Sequence, residues 1–338
     1  MAVVVLGTIT VTFVLSHLVP SNPAILFAGQ NSTPAEVQLW IQRLGLDKPL
    51  YVQFEIYLEQ VFTGNLGLSY SFSNAPILPL IEQSLPNSIT LAALATTLAG
   101  VIGIPLGVEA ARHGGKNLDS VLRIFSVGFV ALPQFWLALL LQLALGVYLP
   151  IFPISSYGGS VLYTSQHIIP SITGSYLVDT FITGHWAEFQ AISWSMVLPV
   201  ISLALYPIGV VIRQTRSAML GILSQDYIRT SRAYGISERS INYRYALRNA
   251  LPPVIVILAL ILAGSTIGVV FVEDVFALSP GLGNLIVQST GTGITSSAIG
   301  AIDYPLALGL TIVVTLLYTA SNFAADMIQI YFDRRIIR

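Results

Sequence analysis

The sequence contains no cysteine, which excludes a disulfide framework, a thiolate zinc site and a cysteine-held iron–sulfur cluster. Charge is scarce as well. Asp, Glu, Lys and Arg make up 9% of the 338 residues, against about a quarter in an ordinary soluble domain. A soluble enzyme of this composition would lack the polar surface to cover itself. The net charge of −1 excludes nucleic-acid binding by bulk electrostatics. The familiar catalytic signatures are missing too. The only Gly-Lys pair, Gly115-Lys116, is followed by Asn117 and not by the Ser or Thr of a phosphate-binding loop, and neither H-E-x-x-H nor G-x-S-x-G occurs. His17, His113, His167 and His185 have no metal-ligand spacing, so no metal site is expected.

What is present is apolar. Hydrophobic residues reach 54% and the mean hydropathy is +0.76. Long apolar runs identify an all-α integral membrane protein with six transmembrane helices, expected over 2–19, 87–111, 120–148, 196–213, 251–272 and 305–326. The first run is rich in Val, Ile and Thr, a strand composition in water. In lipid its backbone must satisfy itself, so a helix is expected. Met1 abuts this run without a basic anchor, and the preferred reading is an uncleaved helix whose natural start lies upstream.

The charges sort by side. Thirteen of the fifteen basic residues fall on the connections 112–123 and 213–248 and on the tail, leaving Arg43 and Lys48 opposite with ten of the sixteen acids. By the positive-inside rule both termini lie inside, an N-in/C-in topology in a multi-pass cell-membrane protein. The expected organisation is a first transmembrane helix with an extracellular loop region over 1–86, then a core of five transmembrane helices over 87–338 with a cytoplasmic loop at 214–250. The outer segment 20–86 carries signals for two helices. In one, Thr33 caps, Pro34 stands at the first helical position and Glu36 at the third; the other covers 52–62.

The 214–250 loop is the most informative. Leu220, Leu223, Tyr227, Ser231 and Tyr234 recur on one helical face, and Gln225, Arg229 and Arg232 on another. Gly235 follows as a left-handed C-terminal residue, Ser237 reads as the next N-cap with Glu238 in its first turn, and a second helix is expected over 238–249, ending at Pro252-Pro253. The product is a helix–Gly–helix elbow. Basic loop residues alone follow from the positive-inside rule; the ordered caps are the more specific signal.

The stretch D-Y-I-R-T-S-R-A-Y-G-I-S-E-R from Asp226 to Arg239, continuing Y-R-Y-A-L-R-N-A-L-P-P to Pro253, resembles the coupling motif of binding-protein-dependent ABC transporter permeases, in the oligopeptide/dipeptide/nickel subclass. Tyr234 stands where that pattern has Lys, and Ser231 where it has Ala. Further likenesses fall in the family's order: H-L-V-P-S-N-P-A from His17, G-N-L-G-L-S from Gly64, L-P-N-S-I-T-L from Leu85, E-D-V-F-A-L-S-P-G-L-G from Glu273 and D-Y-P from Asp303. The resemblance implies the type I importer permease fold and the role of a permease subunit of an ATP-driven ABC importer in a prokaryotic cell membrane, forming half of a pathway for peptides or a related small solute. It implies a second homologous permease, two ATPase subunits and an extracellular solute-binding protein as partners, with the lipid bilayer around them and no nucleic acid. ATP and Mg would be held by those partners; this chain would bind no cofactor and would not itself be an enzyme. The ATPase-coupling residues implied are Arg229, Arg232, Ala233, Tyr234, Gly235, Ile236, Ser237, Glu238 and Arg239, with Ala233, Tyr234 and Ile236 packing into an ATPase cleft.

Polar groups within the expected spans are Gln142, Tyr206, Tyr318 and Asn322. Each reads as packing glue or as pathway lining. The alternative function is an ion-coupled secondary transporter or channel, which expects mid-span charges or inverted repeats. An intramembrane protease would need a Ser/His pair at membrane depth, and no His falls in mid-span.

Overall fold

In the computed structural model the described residues are 2–18, 23–28, 32–154, 169–290 and 302–332. Helices α1 (Ala2–Leu18), α2 (Pro23–Ala28), α3 (Pro34–Leu44) and α4 (Leu50–Phe62) come first, then a two-stranded antiparallel hairpin of β1 (Leu68–Ser69) and β2 (Ala75–Pro76). Next are α5 (Ile77–Arg112), α6 (Asn117–Ala131), α7 (Gln134–Leu141) with a π-helical continuation Gln142–Tyr148, α8 (Tyr176–Ile182) and α9 (Trp186–Leu223). The chain closes with α10 (Asp226–Ala233), α11 (Glu238–Ser240), a π-helical segment Ile241–Ala246, α12 (Leu247–Val275), α13 (Leu282–Ser289) and α14 (Tyr304–Phe332).

Two units are distinguished, Met1–Leu85 with Pro280–Leu317, and Pro86–Ser279 with Tyr318–Arg338. In the first, α1 is helical despite its β-branched composition because its hydroxyls bond within the helix: Thr8 to the Val4 carbonyl at 3.0 Å and Thr10 to the Leu6 carbonyl at 2.7 Å. At about 1.5 Å per residue its 17 residues lie at the short end of the range for a membrane-spanning helix. Phe13 packs on Phe54 and Tyr57 of α4 at ring distances of 5.1 and 5.7 Å. The N-terminus of α3 forms as the sequence signals, with Thr33 and Glu36 capping each other reciprocally. Buried Asp303 ties the hairpin to the start of α14. It accepts from Ser69 Oγ at 2.5 Å and from the backbone N–H of Ser71 and Leu306 at 3.0 and 3.1 Å. Ile77, Ile81, Leu282, Leu285, Leu306 and Leu310 form the core of this unit.

The second unit is built around α9. Two thirds of its most apolar window is buried, against 22–28% in the other long helices, so α9 is the central element and the others leave apolar faces outward. It runs 38 residues through Pro199 and Pro207, as α5 runs 36 residues through Pro86 and Pro105. In an apolar medium, neighbouring groups re-satisfy the carbonyls that a proline frees. The α5–α9 approach is close at Gly103 and Gly107. A Cβ at either would lie 2.7 Å from Val211 or 2.5 Å from Thr215, so the Gly-x-x-x-Gly spacing brings the backbones together.

Several expected boundaries are corrected. Among the described residues four helices are long and apolar enough to cross a membrane: Ile77–Arg112, Trp186–Leu223, Glu238–Ser265 and Tyr304–Ile330. The span expected over 120–148 is instead a pair, α6 and α7, bent by 103°. Pro133 lacks an N–H and forces Leu132 into extended geometry (φ −92°, ψ 137°), which ends α6. The helix expected to stop at 249 does not stop at Pro252-Pro253; it passes through the π-helical segment into α12. The outer segment 20–86 is shorter than expected, because α5 begins at Ile77.

Candidate functional site: the elbow between α9 and α12

The elbow forms as its caps dictate. Gly235 adopts φ +73°, and its N–H bonds the Arg232 carbonyl at 2.9 Å while the Ile236 N–H bonds that of Ser231 at 3.2 Å. These bonds close α10 in the manner of a left-handed C-terminal cap. No side chain crowds the position, so it is the backbone angle that favours glycine here. Ser237 Oγ accepts from the Ser240 N–H at 3.4 Å and starts α11. Across the turn Arg232 Nε donates to Glu238 Oε1 at 2.8 Å, and Arg229 to Asp226 at 3.3 Å.

The elbow has its own core. Ile228 of α10 and Ile241 are fully buried with Val108, Ala111 and Met219, and Ile236 and Leu247 pack against them. Asn249 Nδ2 donates to the Tyr227 hydroxyl at 3.0 Å and joins the two arms. Its outer surface is different. Arg229, Arg232, Ala233, Tyr234, Gly235, Ser237, Glu238 and Arg239 are exposed, with Tyr234 at 82%. Eight of the nine residues singled out from sequence therefore lie together on an exposed tip. Ile236 rests instead on the elbow's own core.

Polar ties below the tip were not legible from sequence. Asp119, fully buried in the first turn of α6, accepts Nε and Nη2 of Arg216 at 2.5 and 2.8 Å and the Gly115 N–H at 3.0 Å. Glu109 of α5 accepts the Tyr243 hydroxyl at 3.1 Å and Nη1 of Arg112 at 3.0 Å. A partial signal existed for Asp119: in a chain with so few charges, an acid at the start of an apolar helix needs a partner. Asn242, in the π-helical segment, is buried with neither amide end paired among the described residues.

The residues proposed for a pathway are dispersed. Gln142 commits its amide nitrogen to the carbonyls of Ile154 (2.7 Å) and Val275 (2.9 Å), which makes it a brace between segments. Asn322 donates to the carbonyl of Tyr318 one turn back on α14. Tyr206 of α9 and Tyr318 are 39% and 44% exposed. No described hydrogen bond joins these three locations. The first unit holds a separate cavity of about 540 Å³ lined by Phe27, Trp40, Arg43, Tyr57, Tyr70 and Tyr304 among others. Arg43 lies over the Trp40 ring at 5.4 Å. Burial pushes the Tyr70 phenol up, and nearby Asp303 adds to this; its hydroxyl donates to the Ile302 carbonyl.

Long apolar helices, the most buried of them followed by an exposed polar elbow, fit the permease fold of ABC type I importers. The fold likeness agrees: the chain superposes on the MetNI methionine ABC transporter in inward-facing conformations with a TM-score of 0.52 and 16% identity, over 75% of this chain and 96% of that one. Residues 103–338 match the family described as binding-protein-dependent transport system inner membrane component, and residues 1–93 match its N-terminal companion; the chain belongs to this family. It is 38% identical, over its full length and 95% of the relative, to a probable D,D-dipeptide transport system permease protein of Escherichia coli K12. It is 32% identical to a dipeptide transport system permease protein of Alkalihalophilus pseudofirmus and 32% identical to an oligopeptide transport system permease protein of Bacillus subtilis 168, each over 98% of this chain and 95% of the relative. The chain is thus a multi-pass permease of an ABC importer, a transporter component rather than an enzyme.

Proposed function

We propose that this permease carries peptides and is driven through the elbow at Gly235. The substrate class is supported by the printed names of relatives aligned along nearly the whole chain. The coupling role is supported by one observation above the others: the residues resembling the family's coupling motif form an exposed tip on an independently packed base. Such a handle can be gripped and turned without unfolding. Ala233 and Tyr234 supply its apolar contact, and Arg229, Arg232 and Arg239 its polar rim.

The working assembly in this reading has a second homologous permease, two ATPases that hold ATP and Mg, and an extracellular solute-binding protein. The chain adopts the N-in/C-in arrangement with six crossings, α1 and the bent α6–α7 pair counting as one each, in a prokaryotic cell membrane. The elbow then faces the cytoplasm. Tyr206, Tyr318 and Asn322 are the pathway candidates, while Gln142 braces.

The test is reconstitution into proteoliposomes with the three kinds of partner, following uptake of radiolabelled alanyl-alanine and ATP hydrolysis together. Gly235→Val places a β-branched residue at φ +73°, a strain of roughly 1–3 kcal/mol. Uptake is expected to fall at least tenfold while the ATPases keep hydrolysing. Normal uptake per ATP in this variant would overturn the coupling role, and uptake by the permease alone would overturn the importer reading.

A further inference from the structure

Each arm of the elbow carries a polar tie to a helix end beside the same short turn, residues 113–116: one to Asp119 in the first turn of α6, the other to Glu109 in the last turn of α5. The arm entering the elbow, α9, is held by the fork of Arg216 on Asp119, whose Oδ2 also takes the Gly115 N–H. Arg123 adds a second cation 3.9 Å from Asp119 Oδ1. The arm leaving the elbow is held by the Tyr243 hydroxyl on Glu109 Oε1, with Glu109 itself fixed by Arg112. A guanidinium fork fixes orientation as well as distance. Asp119 is fully buried, and an unpaired carboxylate there would be costly, so its charge depends on these partners, with the Arg216 fork the closest of the two cations.

The placement of the ties matters more than their strength. Arg216 lies on the same continuous helix that ends at Leu223, just before α10. Tyr243 lies in the π-helical segment just beyond α11, where a helix carries an extra residue per turn and its side chains are re-aimed. Any rigid rotation of the elbow displaces both residues. That displacement passes up α9 and α12 and, through the packing of Val108 and Ala111, into α5. The ties add a polar link that carries it to the ends of α5 and α6 on either side of the turn.

We propose that the α5–α6 turn is a second coupling element: the Asp119–Arg216 and Glu109–Tyr243 ties make turn and elbow move as one body, so that α5 and α6 follow the ATPases together with α9 and α12. The four residues are positioning residues. The inference rests on the coupling role of the elbow, and its test separates the two.

The assembled transporter in proteoliposomes is assayed for alanyl-alanine uptake and ATP hydrolysis with Asp119→Asn and, separately, Tyr243→Phe. ATP hydrolysis is expected to persist, and the uptake-to-hydrolysis ratio to fall roughly 2- to 30-fold, the range set by coupling contributions of individual network residues. A merely structural role would lower the amount of assembled complex and scale both activities together, leaving the ratio unchanged. Because the chain has no cysteine, a Glu109→Cys/Tyr243→Cys double variant can be bridged by a short bis-methanethiosulfonate cross-linker, each thiol displacing one methanesulfinate. The bridged form is expected to transport at the wild-type ratio and the unbridged form at a reduced one. Should Asp119→Asn fail to assemble, Tyr243→Phe and the bridged pair decide the matter. Blocked uptake on bridging would show that elbow and turn move apart, and would overturn the proposal. So would an unchanged ratio in Tyr243→Phe while Gly235→Val uncouples. If Gly235→Val itself couples normally, the elbow reading has failed instead.

Discussion

Residues carry most of the surprises, and most of them are acids. Four of the ten acids assigned to the outer side, Asp179, Glu188, Glu273 and Asp303, are buried. Three of them accept hydrogen bonds that hold segments in place: Asp179 from Thr173, Glu273 from Ser88 and Asp303 from Ser69. Charge sorting by loop is blind to this, because a carboxylate between two segments and one in water look alike in a linear sequence. Asp303→Ala strands two backbone N–H groups and a hydroxyl, so a loss of roughly 3 kcal/mol is expected, read as a lowered midpoint in thermal unfolding of the detergent-solubilised protein. Glu36 illustrates an effect that was legible. The Thr33 N–H and hydroxyl hold its carboxyl below the ordinary glutamate range. The depressed value means the cap contributes fully above that range and loses its contribution as pH falls through it. The protection of the amides at the start of α3 against exchange, relative to the intrinsic rate at each pH, should therefore fall on acidification in the wild type, and this fall should be absent in Glu36→Gln.

At the scale of elements, the caps were readable and the lengths were not. Thr33, Gly235 and Ser237 each act where the local pattern puts them, since a cap involves only a few neighbouring residues. Proline misled in both directions. Pro86 and Pro252-Pro253, expected at helix ends, lie inside continuous helices, whereas Pro133, expected inside one, ends it. The difference lies in the packing around each proline, which sequence does not state. The α5–α9 contact is another tertiary fact with a simple test. Gly107→Ala puts a methyl 2.5 Å from Thr215 Cβ and 2.9 Å from the Ile212 carbonyl. It should destabilise the protein by about 1–3 kcal/mol. Thr215→Gly in the same chain should restore part of the loss, and thermal melts of the single and double variants would show the coupling.

On the scale of the whole molecule, the chain has a charged fraction of 9% and no phosphate-binding loop sequence, and in the proposed reading its movement enters through the elbow. The expected consequence is that vesicles carrying this chain alone neither hydrolyse ATP nor accumulate alanyl-alanine, while addition of the partner subunits starts both; flux from the isolated chain would contradict the importer role.

The membrane class, the apolar helices and the place of the elbow were determined by sequence, because hydropathy and capping act over a turn or two of chain and need no distant partner. The 103° break at Pro133, the central position of α9 and the pairing of Asp119 with Arg216, 97 residues apart, were decided only by tertiary structure. A buried charge or a helix bend is stable or costly according to what surrounds it, and those surroundings are assembled from distant parts of the chain.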